Sequence, residues 1–229
     1  VKIGIRWFNS SMRIIPAILT NERKDFQQKL DIASQFTSYV QVDVMDGQFV
    51  PNESLLPRAF YYLDFHNISF EAHLMVAASH LEYIIQSLKS FSHCKRIYVH
   101  AEALRADEDM RYMLNRIIDQ NQEAGIALNP ETQWQTISPY LSKVDAVLFM
   151  GVNPGFYGSE FQESVLKKVA SFQVESEWNG TISWDGGANA QTIPNILEAG
   201  ATDIAVGSAI MKAEDPQQAF TKLQTISDT

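Results

Sequence analysis

The chain has a single cysteine, Cys94, among 229 residues. An internal disulfide or a cysteine-rich zinc site is therefore excluded, and a reducing, cytoplasmic compartment fits best. No run approaches the ~20 apolar residues that span a bilayer. Residues 1–11 carry Lys2 and Arg6 but no long apolar stretch, which speaks against a signal peptide. Basic residues are few and scattered. Lys+Arg is 18 against Asp+Glu 27, a formal net charge of -9 with no Lys/Arg block. Such a chain repels a phosphate backbone on average, so no nucleic-acid partner is expected. A small anion remains open to it, because backbone amides can build a local positive site on an acidic protein.

Two further absences bear on architecture. No Pro/Gly/Ser-rich linker divides the chain, so one domain is expected over residues 12–229. The first residue is not Met, and Met12 directly precedes the first strand-like run; residues 1–11 are expected to be an N-terminal extension, non-native or disordered. No G-x-G-x-x-G follows an early strand, which argues against a dinucleotide-binding sheet.

What is present is a hydrophobic share of 45% and an aromatic share of 11%, enough for a sizeable core. Short, β-branched apolar runs lie at 14–19, 39–44, 68–74, 96–100, 126–128, 144–150, 181–184 and 203–206. Stretches of helical period separate them, at 25–35, 79–90, 107–122, 132–141, 160–172, 190–198 and 216–224. Several strands are nearly continuous apolar runs, the pattern of parallel strands covered on both faces. Eight such units of about 28 residues use up the chain, and single (β/α)8 TIM barrels run to roughly 250 residues. The expected fold is that barrel.

Polar residues recur in phase at the strand ends. Asp43 and Asp46 close the second strand, His73 and Met75 the third, His100 and Glu102 the fourth. Asn129 follows the fifth, Met150 and Asn153 the sixth, Asp185 the seventh, and Gly207 and Ser208 the eighth. Asp43 to His73 is 30 residues, His73 to His100 is 27 and His100 to Asn129 is 29. In a barrel that phase makes one ring at the C-terminal mouth, where barrel enzymes carry their chemistry. Singly, each residue has an ordinary reading. Asp46 before Gly47 is turn chemistry, and a lone strand-end histidine commonly pairs with a carbonyl. The shared phase is what points to a site.

Gly186, Gly187, Gly207 and Ser208 directly follow the last two strands, the loops that commonly hold phosphate in barrels through backbone N–H groups. The segment 151–160, GVNPGFYGSE, is either an ordinary loop with a Pro-Gly turn or one that can move and close over a ligand. Met45, Met75 and Met150 stand at strand ends, where they are core filler or a soft apolar wall around a reacting carbon.

These residues resemble the ribulose-phosphate 3-epimerase family. The matching segments are IIPAIL at 14–19, VDVMDGQFVPN at 42–52, HLM at 73–75, VHAEA at 99–103, ALNPET at 127–132, FMGVNPGFYG at 149–158, DGGAN at 185–189 and VGSAI at 206–210. The resemblance implies a cytoplasmic barrel, commonly a homo-oligomer, that inverts C3 of a ketose phosphate, ribulose 5-phosphate to xylulose 5-phosphate. It implies Asp43 and Asp185 as the two acid/bases. It implies a divalent metal (zinc, iron, manganese or cobalt) held by those carboxylates, His73 and a second histidine, stabilising an enediolate. Phosphate would fall to Gly186, Gly187, Gly207 and Ser208. Gly155, Phe156, Tyr157 and Gly158 would close above, with His73, Met45, Met75 and Met150 near the substrate.

Three positions depart from the family's pattern. Gln41 stands where the family has its other ligand histidine, so metal is expected to be weakly held or absent. Ala17 replaces a substrate-contacting serine, and Tyr157 a loop glycine. A catalytically weakened or inactive sugar-phosphate-binding paralogue is therefore the alternative. Related decarboxylase or aldolase-type barrels use a lysine in D-x-K-x-x-D, whereas Met45 stands two residues after Asp43.

Overall fold

Eight parallel strands pair in chain order and close on themselves, β1 with β8 as well as with β2. They are β1 Arg13–Ile18, β2 Tyr39–Met45, β3 Ser69–Met75, β4 Cys94–His100, β5 Glu123–Leu128, β6 Ala146–Met150, β7 Thr181–Asp185 and β8 Asp203–Val206. The structure is a computed structural model that describes residues 12–104, 106–155 and 160–227. The extension expected at residues 1–11 lies outside them.

Around the barrel run α1 Arg23–Ala33, α2 Ala78–Leu88, α3 Asp107–Ile118, α4 Ser164–Glu175, α5 Ile193–Glu198, α6 Ser208–Met211 and α7 Pro216–Ser227. Their apolar stripes face the strands; Leu81, Ile84, Ile85 and Leu88 of α2 are all buried, at the i, i+3, i+4, i+7 spacing of one helical face. The outward side chains of the strands, such as Val42, Leu74, Ile97 and Ile204, complete that layer. Each strand is thus covered on both faces, which is why it reads as an unbroken apolar run. Among the described residues no helix is long and apolar enough to cross a membrane.

The helix expected at 132–141 is instead a 3-10 segment, Trp134–Lys143. Pro139 inside it can neither donate an α-helical hydrogen bond nor fit against the preceding turn. Two more 3-10 segments, Pro57–Tyr62 and Ala101–Ala103, and the four-residue α6 were not foreseen; all are too short to carry a period. Helix α4 starts at Ser164 rather than 160, and α5 at Ile193 rather than 190. The 189–192 stretch is a turn, in which Thr192 Oγ1 donates to the Gly187 carbonyl at 2.8 Å.

The barrel interior is polar at both ends. Near the N-terminal rim the Arg96 guanidinium of β4 reaches Glu71 of β3 at 3.3 Å and Asp203 of β8 at 3.0 Å, and Arg13 of β1 also bonds Asp203. Above that, Tyr98 and Ser183 meet across the barrel at 2.7 Å. Gly125 makes room for this tyrosine, since a Cβ there would stand 2.3 Å from its ring. The C-terminal end holds the second polar group.

Candidate active site

Asp43 and His73, each two residues before the end of β2 and β3, and Asp185, the last residue of β7, are aimed into the mouth. The register sets Asp43 beside His73, and Gln41, one interior position below, beside both Ala17 and Glu71. One ligand atom each from Asp43, His73 and Asp185 lie within 4.8 Å of one another. His73 Nδ1 is 3.2 Å from Asp43 Oδ1 and 3.1 Å from Asp185 Oδ2. Gln41 Nε2 donates to the same two oxygens, at 2.9 and 2.7 Å. Two nitrogens thus clamp two carboxylates that would otherwise repel.

Electrostatics follow from that crowding. Burial and the neighbouring Asp185 charge push the Asp43 carboxyl above the ordinary carboxylate range, against the pull of His73 and Gln41. Burial alone would keep His73 neutral, but hydrogen bonds to Asp185 and Asp43 outweigh it and push the imidazole up to about 9. His73 Nε2 lies 2.9 Å from His100 Nε2, and His100 Nδ1 lies 3.1 Å from Glu102.

Above the carboxylates is a cavity of 360 Å³, within the range of small-ligand sites. Asp43, Asp185, Ala17, Met75, Met150, Gly155, Gly186, Gly187, Gly207 and Ser208 line it. None of its described lining residues is Lys, Arg or His, so an anion there would be met by backbone amides and the Ser208 hydroxyl. Gly186 has φ +104°, and a Cβ would come within 2.5 Å of Val152; only glycine lets this loop take the path it does.

Some expected residues fall elsewhere. Met45 does not line the cavity; it is fully buried against Val50 and Met75. His73 and Gln41 are also fully buried, beneath the carboxylates rather than on the cavity wall. Asp46 is a turn residue, accepting from the backbone N–H groups of Gln48, Phe49 and Ala77 and pairing with His80. Phe156, Tyr157 and Gly158 lie outside the described residues. The sequence reading missed Ser54, whose hydroxyl donates to the Asp43 carbonyl and accepts from the Met45 amide. It also missed Asn52, which donates to the Gly155 carbonyl at 3.0 Å, and the lining residues Val152, Phe161 and Asn189. Of these only Asn52 carried a signal, its place at the end of VDVMDGQFVPN.

A divalent cation fits this donor set. Two carboxylates and an imidazole converge on one point, a hard-oxygen and nitrogen set suited to such ions. The fourth neighbour is revealing: Gln41 Oε1 is buried with no hydrogen-bond partner. Turning the amide over would aim that orphaned oxygen at the same point as a fourth ligand.

Comparison with known proteins agrees with this geometry. Residues 13–211 match the ribulose-phosphate 3 epimerase family. The chain is 31% identical over 219 residues to a ribulose-phosphate 3-epimerase of Bacillus subtilis, covering 93% of this chain and 98% of that protein. It is 33% identical over 190 residues to one from Methanocaldococcus jannaschii, covering 81% and 78%. Among solved structures, the orotidine 5'-monophosphate decarboxylase of Methanocaldococcus jannaschii aligns with a TM-score of 0.66 at 15% identity, over 96% of this chain and 100% of that one. A 3-hexulose-6-phosphate synthase aligns at 0.65 and 15%, over 94% and 99%. At such identities the likeness is one of fold alone.

Proposed function

The chain belongs to the ribulose-phosphate 3-epimerase family, a family of isomerases, and from that membership we propose that it inverts C3 of a ketose phosphate by two-carboxyl proton transfer. The observation that carries the reading is the pairing of Asp43 and Asp185 at the floor of one cavity, joined through His73 and Gln41. Epimerisation needs one carboxylate to take the proton from C3 and one carboxyl to return a proton to the opposite face. The two must therefore differ in protonation at the same pH. The raised Asp43 carboxyl supports that division, because it lets this group hold a proton under conditions where an ordinary carboxylate is bare.

Proton removal leaves an enediolate whose oxygens carry the negative charge. A divalent ion held by Asp43, His73, Asp185 and the turned Gln41 carbonyl would act as a Lewis acid on those oxygens. His73 holds both carboxylates in place from below. The methionines Met75 and Met150 present an apolar wall that keeps water from the reacting carbon, and the amides of Gly186, Gly187 and Gly207 with Ser208 hold the phosphate. Ribulose 5-phosphate and xylulose 5-phosphate are the proposed pair.

The test is solvent-deuterium incorporation at C3 of ribulose 5-phosphate, with and without chelator. Exchange is expected in the parent protein and a loss of at least about 10²-fold in Asp43→Asn and in Asp185→Asn, the usual range for an acid/base group. Gln41, whose neutral amide already bonds both carboxylates, favours the second reading, a weakened or inactive sugar-phosphate binder. No exchange with any pentulose or hexulose phosphate, at any added divalent ion, would establish that reading and sink the first.

A further inference from the structure

A buried histidine near the centre and its half-buried carboxylate partner, Glu102, have no part in the chemistry above. His100, at the end of β4, is fully buried, and its Nε2 stands 2.9 Å from His73 Nε2. Its other nitrogen, Nδ1, stands 3.1 Å from Glu102 Oε2. The remaining oxygen of Glu102 accepts the backbone N–H of Asn129 at 2.8 Å. That turn is itself fixed, since Lys168 Nζ donates to the carbonyls of Asn129, Pro130 and Thr132. Phe49 covers the other side of His100 at 4.8 Å between ring centres.

We propose that Glu102 and His100 are positioning residues that fix the tautomer of His73, so that its Nδ1 is left to serve Asp43, Asp185 and a metal ion. Two imidazole nitrogens 2.9 Å apart share one proton, neither two nor none. An ionised Glu102 only accepts, so His100 carries its proton on Nδ1 and offers a lone pair at Nε2. The shared proton then sits on His73 Nε2. With Nε2 committed to His100, Nδ1 is the one nitrogen of His73 that faces Asp43, Asp185 and the point where an ion would sit. The reverse tautomer would keep a proton on Nδ1 and deny that nitrogen to an ion. Such partners of a ligating histidine are known to set its tautomer and ring orientation.

Part of the inference rests on the reading of Asp43, His73 and Asp185 as a reaction centre, but its first test needs neither substrate nor metal. The full chain, labelled with 15N-histidine and stripped of metal, should show His73 protonated at Nε2 and His100 protonated at Nδ1 with a bare Nε2. With five histidines in the chain, His66, His80 and His93 can be assigned by single His→Gln variants. A bare Nδ1 on His100, or a bare Nε2 on His73, overturns the proposal whatever the enzyme does. Glu102→Gln is the second arm. The Asn129 N–H claims the new carbonyl, the amide NH2 faces His100 Nδ1, and both tautomers should reverse. Metal affinity, read by chelator competition, should then fall about 10–100-fold. The kcat for C3 exchange should fall with KM unchanged, the pattern of a group that acts on the reacting centre rather than on binding. A lowered melting midpoint with parental tautomers and parental metal affinity would make Glu102 merely structural and end the proposal.

Discussion

One side chain, Gln41, bears most directly on how this site could hold a cation. Gln41 donates both amide hydrogens to Asp43 and Asp185 and leaves its carbonyl unpaired. The amide therefore has two useful orientations. Facing the carboxylates with nitrogen, it substitutes for part of a cation's charge. Facing them with oxygen, it becomes a ligand, at the cost of the two hydrogen bonds it had. Metal binding would have to offset that loss, so the proposed ion is expected to be weakly held and exchangeable. Gln41→His removes the competition and supplies a nitrogen donor that zinc and iron favour. The variant is expected to bind zinc more tightly by on the order of a hundredfold, since two charge-assisted hydrogen bonds at about 1.5 kcal/mol each are no longer given up. Competition against a chromogenic chelator measures it, and an unchanged dissociation constant would place Gln41 outside the metal's reach.

At the level of elements, the strands were the most legible part of the chain. Each buries both faces and lies between turns, so β8 was placed to the residue and most others to within two or three. The helices were less sharply bounded. A period cannot show that Pro139 tightens Trp134–Lys143 into a 3-10 segment, nor that α6 is a single turn. The site divides in the same way. Asp43, His73 and Asp185 were legible because a barrel repeats one strand per unit and puts each strand end at one mouth. Met45 misled, because its terminal position on β2 does not reveal that Val50 and Met75 bury it. Ser54 and Asn52 were invisible as contacts, since their partners are fixed by how the loop after β2 folds back. The loop after β7 gives the prediction at this scale. Gly186→Ala puts an alanine at φ +104° with its Cβ 2.5 Å from Val152. The strain is about 1–3 kcal/mol, and relief requires the β6 and β7 loops to part where the phosphate is proposed to sit. A rise in KM for the sugar phosphate exceeding any fall in kcat is expected in steady-state kinetics; a normal KM would remove this loop from the phosphate site.

The whole barrel places its two polar groups at opposite ends, the proposed reaction centre at the C-terminal mouth and a charged cluster at the N-terminal rim. At the N-terminal end the Arg96 guanidinium faces Glu71, Asp203 and Glu123, and Arg13 also reaches Asp203. Burial pushes Glu71 up to about 7; Arg96 and Arg13 pull it down, and the Asp203 charge adds to the rise. Its ordinary value is about 4.3, so between these limits the folded chain holds a proton that the unfolded chain has released. The contribution of Glu71 is therefore most favourable in acid and is lost as pH rises toward 7. Glu71→Gln keeps the shape but cannot ionise. Measured by urea unfolding, the variant should gain on the parent between pH 5 and pH 8 by a margin of order 2–3 kcal/mol, at about 1.4 kcal/mol per pH unit. Arg96→Leu tests the same cluster from its other side. It leaves buried carboxylates without their cation, which costs about 3–5 kcal/mol. That loss should be greatest at pH 8 and smaller at pH 5, where Glu71 can take up a proton instead. Neither variant touches Asp43, His73 or Asp185, so exchange per folded molecule should stay at the parental level in both. A stability difference that ignores pH would mean that Glu71 ionises in the folded barrel as freely as in water, and that the cluster at this end does not act through buried charge.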